Sequence, residues 1–319
     1  MFRKALVCVG GKRISVILLC LIVFSSFTII PLSADILIPM DNTQTNHLKA
    51  YGIAFAGLKE HLVGRWLLNY RGGSFLFPDS ESLTALCNIR GVRYENVSSS
   101  DVAAILMEIQ ANNMESIALE KEPKIAVYIP PNALPWDDAV TMALDYAEID
   151  YDRVWDDEVL GGKLPEYDWL HLHHEDFTGQ YGKFYGSYRN TSWYQNDVRV
   201  NEAMAAKHNF AKVWQLKHAV AEKIRNYVIN GGFMFAMCAA TDTYDIALAA
   251  KDVDIVDAAI DGDGIDPQYQ SKLDFSRTFA FENFTLRPNP YEYEFSDIDA
   301  SDYSSLRGPE ADYFQLFDF

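Results

Sequence analysis

Short apolar runs alternate with amphipathic stretches from residue 35 to about residue 250, a pattern that predicts strands separated by helices. Asp35-Ile36-Leu37-Ile38-Pro39-Met40 reads as a buried strand. Asp41-Asn42-Thr43 is placed to cap a helix carrying Leu48, Tyr51, Gly52 and Phe55. Trp66-Leu67-Leu68-Asn69-Tyr70 reads as the next strand, ending at the turn Arg71-Gly72-Gly73-Ser74. A helix over residues 80–89 stopped by Gly91, a short strand near 92–97 and a helix over 100–110 follow, and then a polar stretch over 112–121. Lys124-Ile125-Ala126-Val127-Tyr128-Ile129 is a continuous apolar run of the kind buried in parallel sheets. A helix from Leu134-Pro135-Trp136-Asp137-Asp138 to about Ala147 comes next, and Tyr167-Asp168-Trp169-Leu170-His171-Leu172-His173 is a further strand. Residues 196–229 read as helix, with Val213, Leu216, Val220, Ile224 and Tyr227 on one stripe and a stop at Asn230-Gly231-Gly232. Phe233-Met234-Phe235-Ala236-Met237 is a strand leading to Cys238, with a helix over 245–250 behind it.

Strands alternating with helices in this way imply an α/β fold with a mostly parallel sheet covered by helices on both faces. Ligands of such sheets bind beyond the carboxyl ends of the strands, where Cys238 and the run His171-Leu172-His173-His174-Glu175-Asp176 both fall. They are therefore expected to share one crevice. No repeat or low-complexity block interrupts the chain. Residues 35–260 are expected to form the α/β domain. Residues 261–319, acidic and rich in aromatics, read as an incomplete part of the same domain. They end on Tyr313-Phe314-Gln315-Leu316-Phe317-Asp318-Phe319, which reads as a chain cut short.

The N-terminal region is set apart. Arg3, Lys4, Lys12 and Arg13 flank an apolar run over residues 14–30, and Pro31-Leu32-Ser33-Ala34 offers a small residue before Asp35. Residues 1–34 read as a cleaved export signal, with an uncleaved anchor as the alternative, so the chain is expected in the periplasm or cell envelope. A hydrophobic content of 49% supports a sizeable core. The formal net charge of −18 becomes still more negative without the basic signal, which excludes nucleic acid and anionic lipid as partners. A small molecule or an envelope protein is the expected partner, and no membrane contact is expected beyond the signal or anchor. Outside the signal only Cys87 and Cys238 remain. One disulfide between them would be compatible with export, but two cysteines do not make a disulfide framework.

Cys238 sits in Gly231-Gly232-Phe233-Met234-Phe235-Ala236-Met237-Cys238-Ala239-Ala240-Thr241-Asp242, a helix stop, an apolar strand, then small residues opening a helix. A strand–turn–helix corner of this kind lifts one side chain toward a helix N-terminus, where backbone N–H groups favour a thiolate. A buried core cysteine is the plainer alternative. His173 or His174 could serve Cys238 as base with Glu175 as orienting carboxylate, and Gly179 and Gln180 lie in a loop able to supply N–H donors. His171 and His173 share one strand face and could bind a divalent metal with Glu175 or Asp176. No other cofactor is indicated. Arg71, Gly72 and Gly73 could hold a carboxylate or phosphate, without the lysine of a phosphate-binding loop. Asp261-Gly262-Asp263 fails the calcium-loop pattern, because position five is Ile265 and the glycine falls at position four rather than six, and it reads as a solvated turn.

The strand over 167–173, its glycine-containing loop and the later Gly-Gly-strand-Cys-helix unit resemble the class I glutamine amidotransferase-like superfamily, whose fold is flavodoxin-like. More narrowly, four segments are similar to a group of exported Bacteroidetes proteins often called asparagine synthetase B. They are Asp35-Ile36-Leu37-Ile38-Pro39-Met40-Asp41, Asn46-His47-Leu48-Lys49-Ala50-Tyr51-Gly52, Trp66-Leu67-Leu68-Asn69-Tyr70-Arg71-Gly72-Gly73 and Tyr167-Asp168-Trp169-Leu170-His171-Leu172-His173-His174-Glu175-Asp176-Phe177-Thr178-Gly179-Gln180-Tyr181-Gly182. The resemblance implies Cys238 as nucleophile of an amide or acyl hydrolase. It departs from the family at Ala236 and Ala240, where the elbow usually carries glycine, and in having no histidine after His218. Amide synthesis does not fit, because neither a processed N-terminal cysteine nor an S-G-G-x-D-S loop is present. A binding or structural module without chemistry, and a metal-dependent hydrolase built on the histidine cluster, are the competing readings.

Overall fold

The computed structural model describes residues 34–133 and 138–298. Residues 1–33 of the expected export signal, the expected helix start at Leu134-Pro135-Trp136-Asp137 and the terminal run Tyr313 to Phe319 lie outside them. The protein is α/β with two sheets, and it divides into two compact units at Glu120 and Lys121. No helix among the described residues is long and apolar enough to cross a membrane.

The first unit runs β1 (Asp35–Ile38), α1 (His47–Lys59), β2 (Gly64–Leu68), β3 (Ser74–Phe77), α2 (Glu81–Arg90), β4 (Glu95–Val97), α3 (Ser99–Ala111) and β5 (Glu115–Leu119). Its strands are ordered β4-β1-β3-β2-β5, and every pairing is antiparallel. The expectation of one mostly parallel sheet is therefore corrected for this half of the chain. The cause is local. Asn69, Arg71, Gly72 and Gly73 all take positive φ, which turns β2 straight back into β3, and β1-α1-β2-β3-α2-β4 closes as a split β-α-β arrangement. The polar stretch after α3 hides the edge strand β5, whose side chains are only partly buried. Helix α1 is capped by Asn46, not by Asp41-Asn42-Thr43. One core lies between the sheet and α1 and α2, with Ile36, Ile38, Ile53, Phe77, Leu83 and Cys87 almost wholly buried. Leu37, Leu67 and Leu76 pack on the other face against Ile105 and Ile109 of α3.

The second unit carries the parallel sheet. Its elements are β6 (Ile125–Tyr128), α4 (Ala139–Ala147), β7 (Asp152–Val154), α5 (Asp156–Leu160), β8 (Trp169–Leu172), α6 (Tyr185–Tyr188), α7 (Ser192–Lys207), α8 (Val213–Ile229), β9 (Phe233–Ala236), α9 (Ala239–Ala249) and α10 (Ala258–Asp261). The order is β7-β6-β8-β9, with Ile125 opposite Trp169 and Leu172 opposite Ala236. The single helix expected over 196–229 is two, because Asn209 takes the left-handed conformation that asparagine tolerates and breaks the turn. Side chains alternate across the sheet. Ala126, Tyr128, Leu170 and Leu172 face α8 and α9, while Ile125, Val127 and Ile129 face Leu144 of α4. Leu216, Val220 and Ile224 of the α8 stripe are fully buried, each worth roughly 1.5–3 kcal/mol. Cover on both faces does not extend to the edge strand β9, where Phe233 and Phe235 are exposed. The segment after α10 packs through Phe284, Leu286 and Phe295 on Ile246 and Ala249 of α9.

Candidate active site

Cys238 stands at the corner between β9 and α9, exposed, with φ 54 and ψ −140. That backbone conformation is costly for a residue with a Cβ, of order 1–3 kcal/mol, and persists only where the surroundings enforce it. The enforcement is visible on both sides. Met237 N–H donates to the Leu172 carbonyl at 3.1 Å, Ala240 N–H to the His173 carbonyl at 3.0 Å, and Thr241 N–H to the carbonyl of Cys238 at 3.0 Å. The flanking alanines do not prevent the corner. Ala240 is fully buried in the core under α9, so what its position requires is small size, and the positive φ falls on Cys238 alone. The Ala239 N–H is the first of an eleven-residue helix. It has no partner among the described residues, so with the dipole of α9 it offers a donor to negative charge beside the thiol. Cys87 is the opposite case, wholly buried in the first unit, where burial pushes its thiol up to about 11. Both cysteines are free, so the disulfide does not form.

The two histidines separate. His173 continues β8 on the α4 side, where its Nδ1 lies 3.0 Å from Oδ1 of the buried Asp138, the N-cap residue of α4. The carboxylate accepts, so Nδ1 carries the proton and Nε2 is the basic nitrogen. His174 instead lines a cavity of about 470 Å³ together with Cys238, Ala239 and Thr241. Phe281, Tyr293 and Phe295 of the C-terminal segment form its far wall. Glu175 does not orient the His173 ring, which Asp138 holds. Its Oε2 accepts the His173 backbone N–H at 3.0 Å, and burial pushes its carboxyl up to about 7. The orienting acid, Asp138, is not marked out by its neighbours in sequence beyond its place as an acidic helix cap following a parallel strand.

Gly179 and Gln180 belong to a built loop rather than a flexible one. Asp176 Oδ1 accepts Thr178 N–H and Oγ1 at 2.6 Å each, and Oδ2 accepts Gly182 N–H at 3.0 Å. A Cβ on Gly179, which has φ +79, would meet the Trp214 backbone at 2.7 Å. Gln180 is buried against Thr178. This use of Asp176 removes it from any ligand set with His171 and His173. His171 is buried and stacked on Phe235, and burial lowers its pKa. Among the described residues the acids whose ligand atoms converge are Asp254, Asp261 and Asp263, and Lys212 Nζ already bonds Asp263 and the Asp261 carbonyl.

Arg71, Gly72 and Gly73 lie in the first unit, and their chemistry is already used. The Arg71 guanidinium bonds Asp41 at 2.7 Å and both oxygens of Glu95 at 2.9 and 3.1 Å, tying β4 to the loop after β1. A Cβ on Gly72 would fall 2.4 Å from the Met40 carbonyl oxygen. The expected anion site is thus a structural brace.

Two further residues hold the wall opposite Cys238. Asp245, buried on α9, accepts the N–H groups of Phe279, Ala280 and Phe281 at 2.9, 2.7 and 2.9 Å. Lys183 donates to the carbonyls of Arg287 and Asn289 at 2.5 and 2.8 Å, and burial lowers it to about 8. Comparison of the chain with protein-family profiles, curated proteins and solved structures returns no match.

Proposed function

We propose that the second unit is a cysteine-dependent amide or acyl hydrolase of an exported protein, with the architecture of the class I glutamine amidotransferase-like, flavodoxin-like group. The observation that carries the reading is the strained φ/ψ of Cys238 at an exposed strand–helix corner, in one cavity with His174. The strand order β7-β6-β8-β9 supports the fold assignment, since it follows the flavodoxin-like order through four strands with Cys238 after the fourth. In this reading His174 takes the thiol proton, the thiolate attacks the carbonyl carbon, and Ala239 N–H donates to the oxyanion. The proton then passes to the leaving amine or alcohol, and water attack on the thioester releases the acid and restores the thiol.

The test is alkylation of the intact protein by iodoacetamide at neutral pH. Cys238 should react faster than free cysteine, and Cys87 should stay unmodified. A Cys238 rate equal to or below that of free cysteine would overturn the reading. The competing reading, a ligand-binding module without chemistry, is favoured by one observation. Cys238 Sγ has no hydrogen-bond partner among the described residues. A hydrolase screen positive for the native chain and negative for Cys238→Ala would remove it.

A further inference from the structure

A second cavity, of about 490 Å³, lies on the other side of His174, Gly182 and Phe184, which line both spaces. It faces the carboxyl ends of β6, β7 and β8, where the strand order reverses about β6. Its wall holds buried polar atoms that the protein leaves unused. Glu175 is 6% exposed, and its Oε1 has no hydrogen-bond partner among the described residues. Asn201, 5% exposed, is in the same condition at Oδ1. Its Nδ2 is given to the Asp197 carbonyl at 3.0 Å and to Asp197 Oδ1 at 3.1 Å, which fixes the amide so that an acceptor remains. Leaving such a buried acceptor without a donor costs about 1–3 kcal/mol.

The lysine on this wall cannot supply the donors. Lys217 Nζ bonds Asp156 at 2.9 and 3.2 Å and the Tyr128 hydroxyl at 3.3 Å, and sits 3.9 Å from the Trp155 ring centre. Lys217 is paired with Asp156, and the acids that remain in the lining are Glu175, Asp176 and Asp197. Phe184 and Trp193 complete the lining, and aromatic rings of this kind attract cations over their faces. Trp155 Nε1 adds one unpartnered buried donor, suited to an oxygen on the ligand. An anion would meet acceptors and like charge here, and an apolar molecule would leave the acceptors dry. A primary ammonium supplies three donors and a positive charge.

We propose that this cavity binds small organic ammonium ions, compounds carrying a primary amine and an acceptor oxygen. The raised carboxyl of Glu175 agrees with this, since a buried acid lacking a counterion is what an ammonium would satisfy. Because His174, Gly182 and Phe184 are common to both cavities, a longer ligand seated here would extend toward Cys238.

Binding is measured by calorimetry on the full chain carrying Cys238→Ala, which separates recognition from chemistry. The probes are tyramine, 4-propylphenol and 3-(4-hydroxyphenyl)propionate, which share a ring and differ in end group. Tyramine should bind at least about tenfold more tightly than either of the others. Glu175→Gln should cost tyramine about tenfold or more while leaving 4-propylphenol nearly unchanged, and Asp197→Asn on α7 provides an independent variant with the same expectation. Absence of tyramine binding at about 10 mM, equal or tighter binding of the propionate, or tyramine affinity unchanged in a folded variant would overturn the proposal. Tyramine binding by a protein whose Cys238 proves unreactive would sink the hydrolase reading and leave this one standing.

Discussion

Glu175→Gln tests the electrostatics of the site through stability alone. In the folded protein burial moves this carboxyl from 4.5 to about 7, against the opposing effects of the His173 N–H and Lys217 and with a smaller contribution from Asp138. Between those pH values the folded state keeps a proton that the unfolded chain has released. Stability therefore falls as pH rises, with no penalty below about 4.5 and the full penalty above about 7. The displacement corresponds to about 3 kcal/mol. Glutamine has no proton to lose and keeps an oxygen for the His173 N–H, now 3.0 Å from Oε2. The variant should thus gain on the native protein by up to about 3 kcal/mol between about pH 5 and pH 8. Urea unfolding followed by tryptophan emission reports the right unit, because every tryptophan except Trp66 lies beyond Lys121. A stability gap between the two proteins that is constant with pH would refute the reasoning.

Three other outcomes are expected. Cys238→Gly should raise the unfolding free energy by about 1 kcal/mol, since glycine adopts φ 54 and ψ −140 without the strain, whereas Cys238→Ala should not. Paired urea titrations of the two variants check this. Lys217→Met removes the ion-pair partner of the wholly buried Asp156, and should cost about 3–5 kcal/mol in the same assay. Asp245→Asn takes away the charge that holds three backbone N–H groups, at about 2 kcal/mol. Limited proteolysis should then cut within residues 279–298 well before any site elsewhere in the second unit.

What could be read from the chain and what could not divide along sequence distance. The corner at Cys238 is legible because its signals are adjacent: Gly231-Gly232, then four strand residues, then small residues opening α9. The parallel sheet is legible from the continuous apolar run at 125–128 and the largely apolar strand at 169–172. The antiparallel sheet is not, because strand–helix alternation looks the same whichever way the strands pair. The deciding feature is the tight return over residues 69–73, and the strand behind it, Ser74-Phe75-Leu76-Phe77, passes for the end of a turn. Arg71 reads as a ligand group until Asp41 and Glu95 are brought beside it from 30 and 24 residues away. Asp138 reaches His173 across 35 residues, so the imidazole's partner is a property of the fold.

Ala236 and Ala240 show why the corner forms without glycine on either side of Cys238. A glycine at such a position can serve two separate needs, room for close packing and freedom to take positive φ. Ala240 has no exposed surface and sits in the helix, so at that position only the first need operates, and a methyl group meets it. Ala236 lies within β9, opposite Leu172, and needs no unusual φ at all. The whole conformational cost is concentrated on Cys238. It is held there by bonds from Met237 and Ala240 to the end of β8, so the strained residue cannot relax without detaching β9 and α9 from that strand. A thiol kept exposed at such expense, at a helix N-terminus and in a cavity that His174 also lines, is what the proposed hydrolase reading requires of Cys238.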